Sequence, residues 1–133
     1  MTDIDSDEKA IRAVLDGVYR AWAANDADAF VAEYTEDATA ILPGSFRPGR
    51  EAIRASMAAG FAGPLKGSSA RDTVQSVRMV GTDAAIVVSE AGILMAGESE
   101  VPAGRAVMAT WVLEKQDGAW RIAAYHNCAK ATG

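Results

Sequence analysis

Two long alternating runs meet at Asp117-Gly118, and that junction restricts the fold more than any other feature of the chain. Asp-Gly favours the left-handed backbone of a two-residue hairpin turn, and apolar/polar alternation on both sides reads as a pair of antiparallel strands. With those residues as the turn, Gln116 faces Ala119, Lys115 faces Trp120, Glu114 faces Arg121 and Leu113 faces Ile122. Continued without interruption, the register sets Trp111 opposite Ala124 and Ala109 opposite His126. Directly opposed residues share a face. One face then holds Val107, Ala109, Trp111, Leu113, Ile122, Ala124 and His126. The other holds Met108, Thr110, Val112, Glu114, Arg121, Ala123, Tyr125 and Asn127, with Glu114 and Arg121 as a cross-strand ion pair. The first face reads as core. It places the single histidine beside Trp111 at the end of a strand, at the rim or floor of a cavity.

The 133 residues suit one domain, with a half-hydrophobic composition, 23% charged residues and a net charge of −5. Thirteen Lys and Arg form no basic stripe, so nucleic acid is not an expected partner. One His and one Cys cannot build a zinc site of the usual kind, and the lone Cys128 excludes an intrachain disulfide. No apolar run is long enough to span a membrane, and the acidic start MTDIDSDEK is unlike a signal peptide, so a cytoplasmic location is expected.

Ile11, Val14, Leu15, Val18 and Trp22 recur at helical spacing, with Asp5 or Ser6 as the cap. Asp26 can cap a short second helix carrying Phe30, Val31 and Tyr34. Thr39 to Leu42 reads as a brief strand ended by Pro43-Gly44. A third helix is predicted from Arg50 to Phe61, with Ile53, Met57 and Phe61 on one side. Strands follow at about 72–80, 84–95, 105–115 and 120–128. Helices followed by an antiparallel meander give an α+β domain with the helices on one face of the sheet.

Four segments, in this order, resemble the nuclear transport factor 2-like superfamily: Trp22-Ala-Ala-Asn-Asp26, Tyr34-Thr-Glu-Asp-Ala38, Pro48-Gly-Arg-Glu-Ala-Ile53 and Asp117-Gly-Ala-Trp-Arg-Ile122. The likeness spans about residues 7–128 of a single domain covering 1–133. Within that superfamily the last strand, Trp-Arg-Ile-Ala-Ala-Tyr-His-Asn, is most similar to the SgcJ/EcaC-type SnoaL-like proteins of enediyne and other polyketide biosynthesis. The resemblance implies a cone-shaped, barrel-like fold in which three helices and a curved, mostly antiparallel sheet enclose one pocket, usually in a homodimer. It does not fix a reaction. In ketosteroid isomerase, a relative, the general-base aspartate and the hydrogen-bonding tyrosine fall at positions matching Leu42 and Val18 here, both apolar. Tyr19 lies next to the second.

His126 is the leading acid–base candidate, since a neutral imidazole in an apolar site exchanges protons near pH 7. The alternative is a buried histidine satisfied by a backbone carbonyl. Asp37 either orients His126 or closes a turn with its carboxylate. Tyr34 either offers its hydroxyl to a substrate or packs in the core. Glu90, within the apolar run Ile86 to Leu94, is either a pocket acid or half of an ion pair at a dimer interface. Arg105 can pair with Glu90, bind a ligand oxygen or end a hairpin in solvent. Trp22, Phe46, Met57, Phe61 and Trp111 are the expected apolar lining of a substrate site, with core packing as the alternative reading. No nucleotide-binding or nucleophile-elbow motif is present, and no cofactor is expected. Two functions follow. One is a cofactor-independent acid–base enzyme (an isomerase, cyclase or dehydratase) acting on a hydrophobic polyketide or polyene intermediate. The other is a non-catalytic protein that shields such a ligand or assists polyketide synthase-associated enzymes. The sheet face bearing Met108, Thr110, Val112, Ala123 and Tyr125 is the expected homodimer surface.

Overall fold

A computed structural model describes residues 2–130, with side chains from Ser6 onward. Its helices are α1 (Thr2–Ala23), α2 (Ala27–Phe30) and α3 (Arg50–Ala62). Its strands are β1 (Tyr34–Leu42), β2 (Ser45–Pro48), β3 (Ser69–Val80), β4 (Ala84–Leu94), β5 (Val107–Gln116) and β6 (Ala119–Ala129). They form one sheet in the order β2-β1-β6-β5-β4-β3, antiparallel except where β1 runs parallel to β6. This is the α+β arrangement, helices packed on a mostly antiparallel sheet, that the sequence implied.

The helical stripes behave as their spacing requires. Ile11, Leu15 and Val18 of α1 and Ile53, Met57 and Phe61 of α3 are buried against the sheet. Asp26 caps α2 by accepting the Ala29 N–H at 3.0 Å. The end of α1 is tied to the loop before β3. Trp22 Nε1 donates to Ser68 Oγ at 2.9 Å, and Asn25 Oδ1 accepts the Gly67 N–H at 2.6 Å. Two expectations change here. The first helix begins at Thr2, so Ser6 lies inside it; the side chain of Asp5 lies outside the described residues. The strand expected before α3 is also longer, starting at Tyr34 rather than Thr39, and Ser45–Pro48 pairs with it as an unforeseen edge strand.

The hairpin confirms its turn and corrects its register. Asp117 and Gly118 both have positive φ, 51° and 81°, as a type I′ turn demands. Pairing follows expectation as far as Leu113 with Ile122. There β6 bulges: the next pair is Val112 with Ala124, and Ala123 is the extra residue. One added residue exchanges the two faces for everything beyond it. Trp111 therefore pairs with Tyr125, Thr110 with His126 and Ala109 with Asn127. Tyr125 and Asn127 turn inward, whereas His126 is exposed on the outer face. The expected Glu114–Arg121 ion pair also fails to form, although the two residues are in register. Arg121 pairs with Glu33 instead, and Glu114 accepts from Gln116.

Candidate active site

The inner face of the sheet runs in a row from Arg47 on β2 through Ala40, Tyr125 and Trp111 to Val87 on β4. Between this row and the helices is a cavity of about 240 Å³ with mostly apolar walls, among them Trp22, Phe30, Met57 and Trp111. The rings of Trp22, Phe30 and Phe61 meet edge to face at 5.9–6.4 Å and close one end. Leu42 and Val18, aligned with the isomerase base and tyrosine, both line the cavity. The apolar substitutions thus fall inside the site.

Polar groups gather toward the other side. Tyr19 is one position past Val18 on α1 and reaches the cavity beside Trp111, with ring centroids 6.2 Å apart. Its hydroxyl donates to Asp72 Oδ1 at 3.1 Å. Asp72 is half-buried on β3, in the inward phase of that strand, where the cavity adjoins a more open polar groove; Ala91 and Gly92 line both. Burial raises the Asp72 carboxyl above its ordinary value, against the hydrogen bond from Tyr19, which favours the ionised form. Burial likewise raises the Tyr19 phenol, with the charge of Asp72 beside it adding to the effect. Both groups stay protonated more readily than in water.

Asn127 Nδ2 donates to the Tyr125 hydroxyl at 2.8 Å, which leaves the tyrosine proton free to point elsewhere. Burial raises the Tyr125 phenol too, so at neutral pH it is a hydrogen-bond donor. Tyr34, fully buried, is raised by burial and by the nearby Tyr125, while Arg47 opposes the shift. The indole Nε1 of Trp111, the amide Oδ1 of Asn127, Nε of Arg47 and the Ser89 hydroxyl are buried without a hydrogen-bond partner among the described residues. Such atoms are costly unless a ligand or water meets them. Among the described residues, no three His, Cys, Asp or Glu side chains converge as a metal site would require.

Of the residues expected from the sequence, Tyr34, Arg105, Trp22, Met57 and Trp111 line this cavity. Arg105 does not reach Glu90. Its guanidinium is held by Glu98 at 2.5 Å and by the Ile93 carbonyl at 3.1 Å. Phe61 is buried behind Trp22 rather than on the cavity wall. Four expectations are corrected. His126 and Phe46 point outward, Phe46 with 62% of its surface exposed, because the bulge turned the first and β2 alternation turned the second. Glu90 is on the outer phase of β4 and pairs with Lys130 at 2.9 Å in solvent. Asp37 is exposed within β1 and accepts the Thr35 hydroxyl at 3.0 Å, so it neither orients His126 nor closes a turn.

Tyr19, Asp72, Tyr125, Asn127 and Arg47 were not among the expected site residues. Asp72 had a visible signal, since it alternates in phase with Ala70 and Val74. Tyr125 and Asn127 had none, because a bulge between two alanines leaves no mark in a hydropathy pattern.

The architecture recurs in solved structures. A domain of unknown function with a cystatin-like fold from Nostoc punctiforme PCC 73102 is 30% identical, with a TM-score of 0.88 over 96% of this chain and 79% of that one. A ketosteroid isomerase-like protein from Erwinia carotovora atroseptica is 21% identical, with a TM-score of 0.74 over 93% and 96% of the two chains. A provisionally named scytalone dehydratase from Novosphingobium aromaticivorans DSM 12444 is 19% identical, with a TM-score of 0.79 over 100% and 91%. No curated protein is significantly similar to the chain. The family model for the SnoaL-like domain matches residues 11–130, and the chain belongs to that family.

Proposed function

We propose that this protein is a cofactor-independent acid–base enzyme that enolises, isomerises or dehydrates a hydrophobic intermediate of polyketide or polyene type. The observation that carries the reading is the Tyr19–Asp72 hydrogen bond at 3.1 Å, which joins an apolar cavity to a carboxylate with a raised pKa. Ionised Asp72 accepts the Tyr19 proton as the Tyr19 oxygen takes a proton from a carbon beside a substrate carbonyl. The C–H electron pair moves to the carbonyl oxygen, where the Tyr125 hydroxyl, backed by Asn127, donates to the developing charge. Return of the proton to another carbon completes an isomerisation; loss of a hydroxide from the neighbouring carbon, protonated as it leaves, completes a dehydration. The names of the isomerase-like and dehydratase relatives agree in reaction class. The enediyne assignment rests on the likeness of the last strand alone.

The test needs no knowledge of the natural substrate. Incorporation of deuterium from D₂O into 2-tetralone, a bicyclic enolisable ketone, is followed by proton NMR. Wild-type protein should accelerate exchange, and Asp72→Asn, which holds the hydrogen bond but cannot accept the proton, should lose about 10²–10⁴-fold. Tight binding of tetralone with no exchange above buffer would support the shielding protein instead. A homodimer is proposed through the outer sheet face, where Ile41, Met108 and Val112 stand beside His126 and Thr110. A purely monomeric 13.9-kDa species in sedimentation at micromolar concentration would remove it.

A further inference from the structure

The arginines of this chain are treated unequally. Arg12, Arg54, Arg105 and Arg121 each pair with a glutamate. Of the two arginines on the cavity wall, Arg47 and Arg105, Arg47 has no carboxylate partner among the described residues. Its inward position follows from β2 alternation, with Phe46 and Pro48 exposed on either side of it. The only hydrogen bond its guanidinium makes among the described residues is from Nη1 to the Met57 sulfur at 3.5 Å, a weak acceptor. Nε is buried with no partner at all. The other groups that act on it electrostatically are two neutral phenols, Tyr34 and Tyr125, and burial pulls its pKa down.

A guanidinium stays ionised under such conditions, so the wall of the apolar cavity carries a half-buried positive charge with no carboxylate partner among the described residues. Its hydrogen-bond partner there, the Met57 sulfur, does not call for a cation. The charge makes sense if an anion completes it. One guanidinium in a mostly apolar wall suits a single negative charge. Its planar fork suits the two oxygens of a carboxylate, whereas a phosphate dianion would call for more positive charge. Arg105, the other cation on the wall, is already neutralised by Glu98.

We propose that Arg47 is the anion-recognition residue of the cavity, and that the ligand is an otherwise apolar carboxylic acid held as its carboxylate at Arg47. Across the sheet Arg47 lies on one side of Tyr125 and Trp111, against which Tyr19 packs, lies on the other, so the acid group is anchored on one side of that ring and the reacting carbon faces Tyr19 on the other. The inference rests on the cavity being the small-molecule site, but not on Asp72 serving as the base.

Calorimetry with two matched pairs tests it: 2-naphthoate against 2-naphthamide, and octanoate against octanamide. Wild-type protein should prefer at least one acid over its amide by about 10–100-fold, the worth of charge-assisted hydrogen bonds. Arg47→Met should bring that ratio close to one without lowering the melting temperature of the free protein. Arg47→Lys should retain the sign of the preference at reduced size. Equal affinity for acid and amide in both pairs, no measurable binding of either acid, or a preference that survives Arg47→Met would each overturn the proposal. Asp72→Asn should keep the acid preference. If that variant exchanges tetralone like wild type while the preference holds, the acid–base reading falls and the anion site stands.

Discussion

On the inner face of the sheet, Trp111 and Tyr125 pair across β5 and β6, both largely withdrawn from water, with ring centroids 4.4 Å apart. One residue away on each strand, Thr110 and His126 pair on the outer face and are exposed. Both faces therefore carry an aromatic or titratable side chain at the same height, yet only the inner one meets a cavity. Strand alternation makes the contrast sharp, and the bulge at Ala123 decides which residue falls on which side. Chemistry in this fold follows the face, not the intrinsic reactivity of the side chain.

The largest effect expected from that contrast is on stability. Trp111→Ala removes a 2%-exposed ring that joins core to cavity and should cost about 3–5 kcal/mol in urea denaturation. Thr110→Ala, its outward neighbour, should stay within about 0.5 kcal/mol. Comparable losses at both positions would mean that the outer face is as closely packed as the inner one.

A smaller effect separates Tyr125 from His126. Tyr125→Phe removes the acceptor of the Asn127 amide and the donor proposed for the substrate oxygen. It should lower stability by about 0.5–1.5 kcal/mol and slow tetralone exchange. His126→Ala should leave exchange at the wild-type rate. A slow His126→Ala protein of unchanged fold would reverse the assignment of the faces.

Smallest, and opposite in sign, is the stability change at Asp72. Its pKa is raised in the folded protein, so folding favours the protonated carboxyl, and the ionised form at neutral pH is a burden. That burden develops as pH rises from the ordinary aspartate value through the raised one, and it is absent below both. Asp72→Asn should therefore stabilise the fold at pH 7, with the gain shrinking toward acid. Melting curves across pH check this; a variant that loses stability at pH 7 would show that Asp72 holds the structure together.

How much of this was legible depends on what each residue type reveals. The stripes of α1 and α3 repeat apolar residues at helical spacing, and Asp117-Gly118 specifies its own turn, so most elements and the near half of the hairpin register could be read. Ile122-Ala123-Ala124 could not be read in the same way. Alanine is at home on either face, and nothing local distinguishes a bulge from regular alternation there. The whole misplacement of His126, Tyr125 and Asn127 follows from that one residue. Arg47 was hidden for another reason: β2 is four residues long and ends in proline, too short for alternation to mark it as a strand. Asp72 was overlooked although its phase with Ala70 and Val74 was visible, because the strand was begun at residue 72 rather than Ser69.

The central claim is that proton transfer belongs to Tyr19 on the cavity wall and Asp72 behind it, and not to the histidine on the outer face. The most direct measurement is the pH dependence of tetralone exchange in wild-type, Asp72→Asn and His126→Ala proteins. The account predicts a wild-type rate that rises through one ionisation above the ordinary aspartate range, an identical profile in His126→Ala and no such rise in Asp72→Asn. A rise near the imidazole value of about 6.5 that disappears in His126→Ala and persists in Asp72→Asn would contradict it.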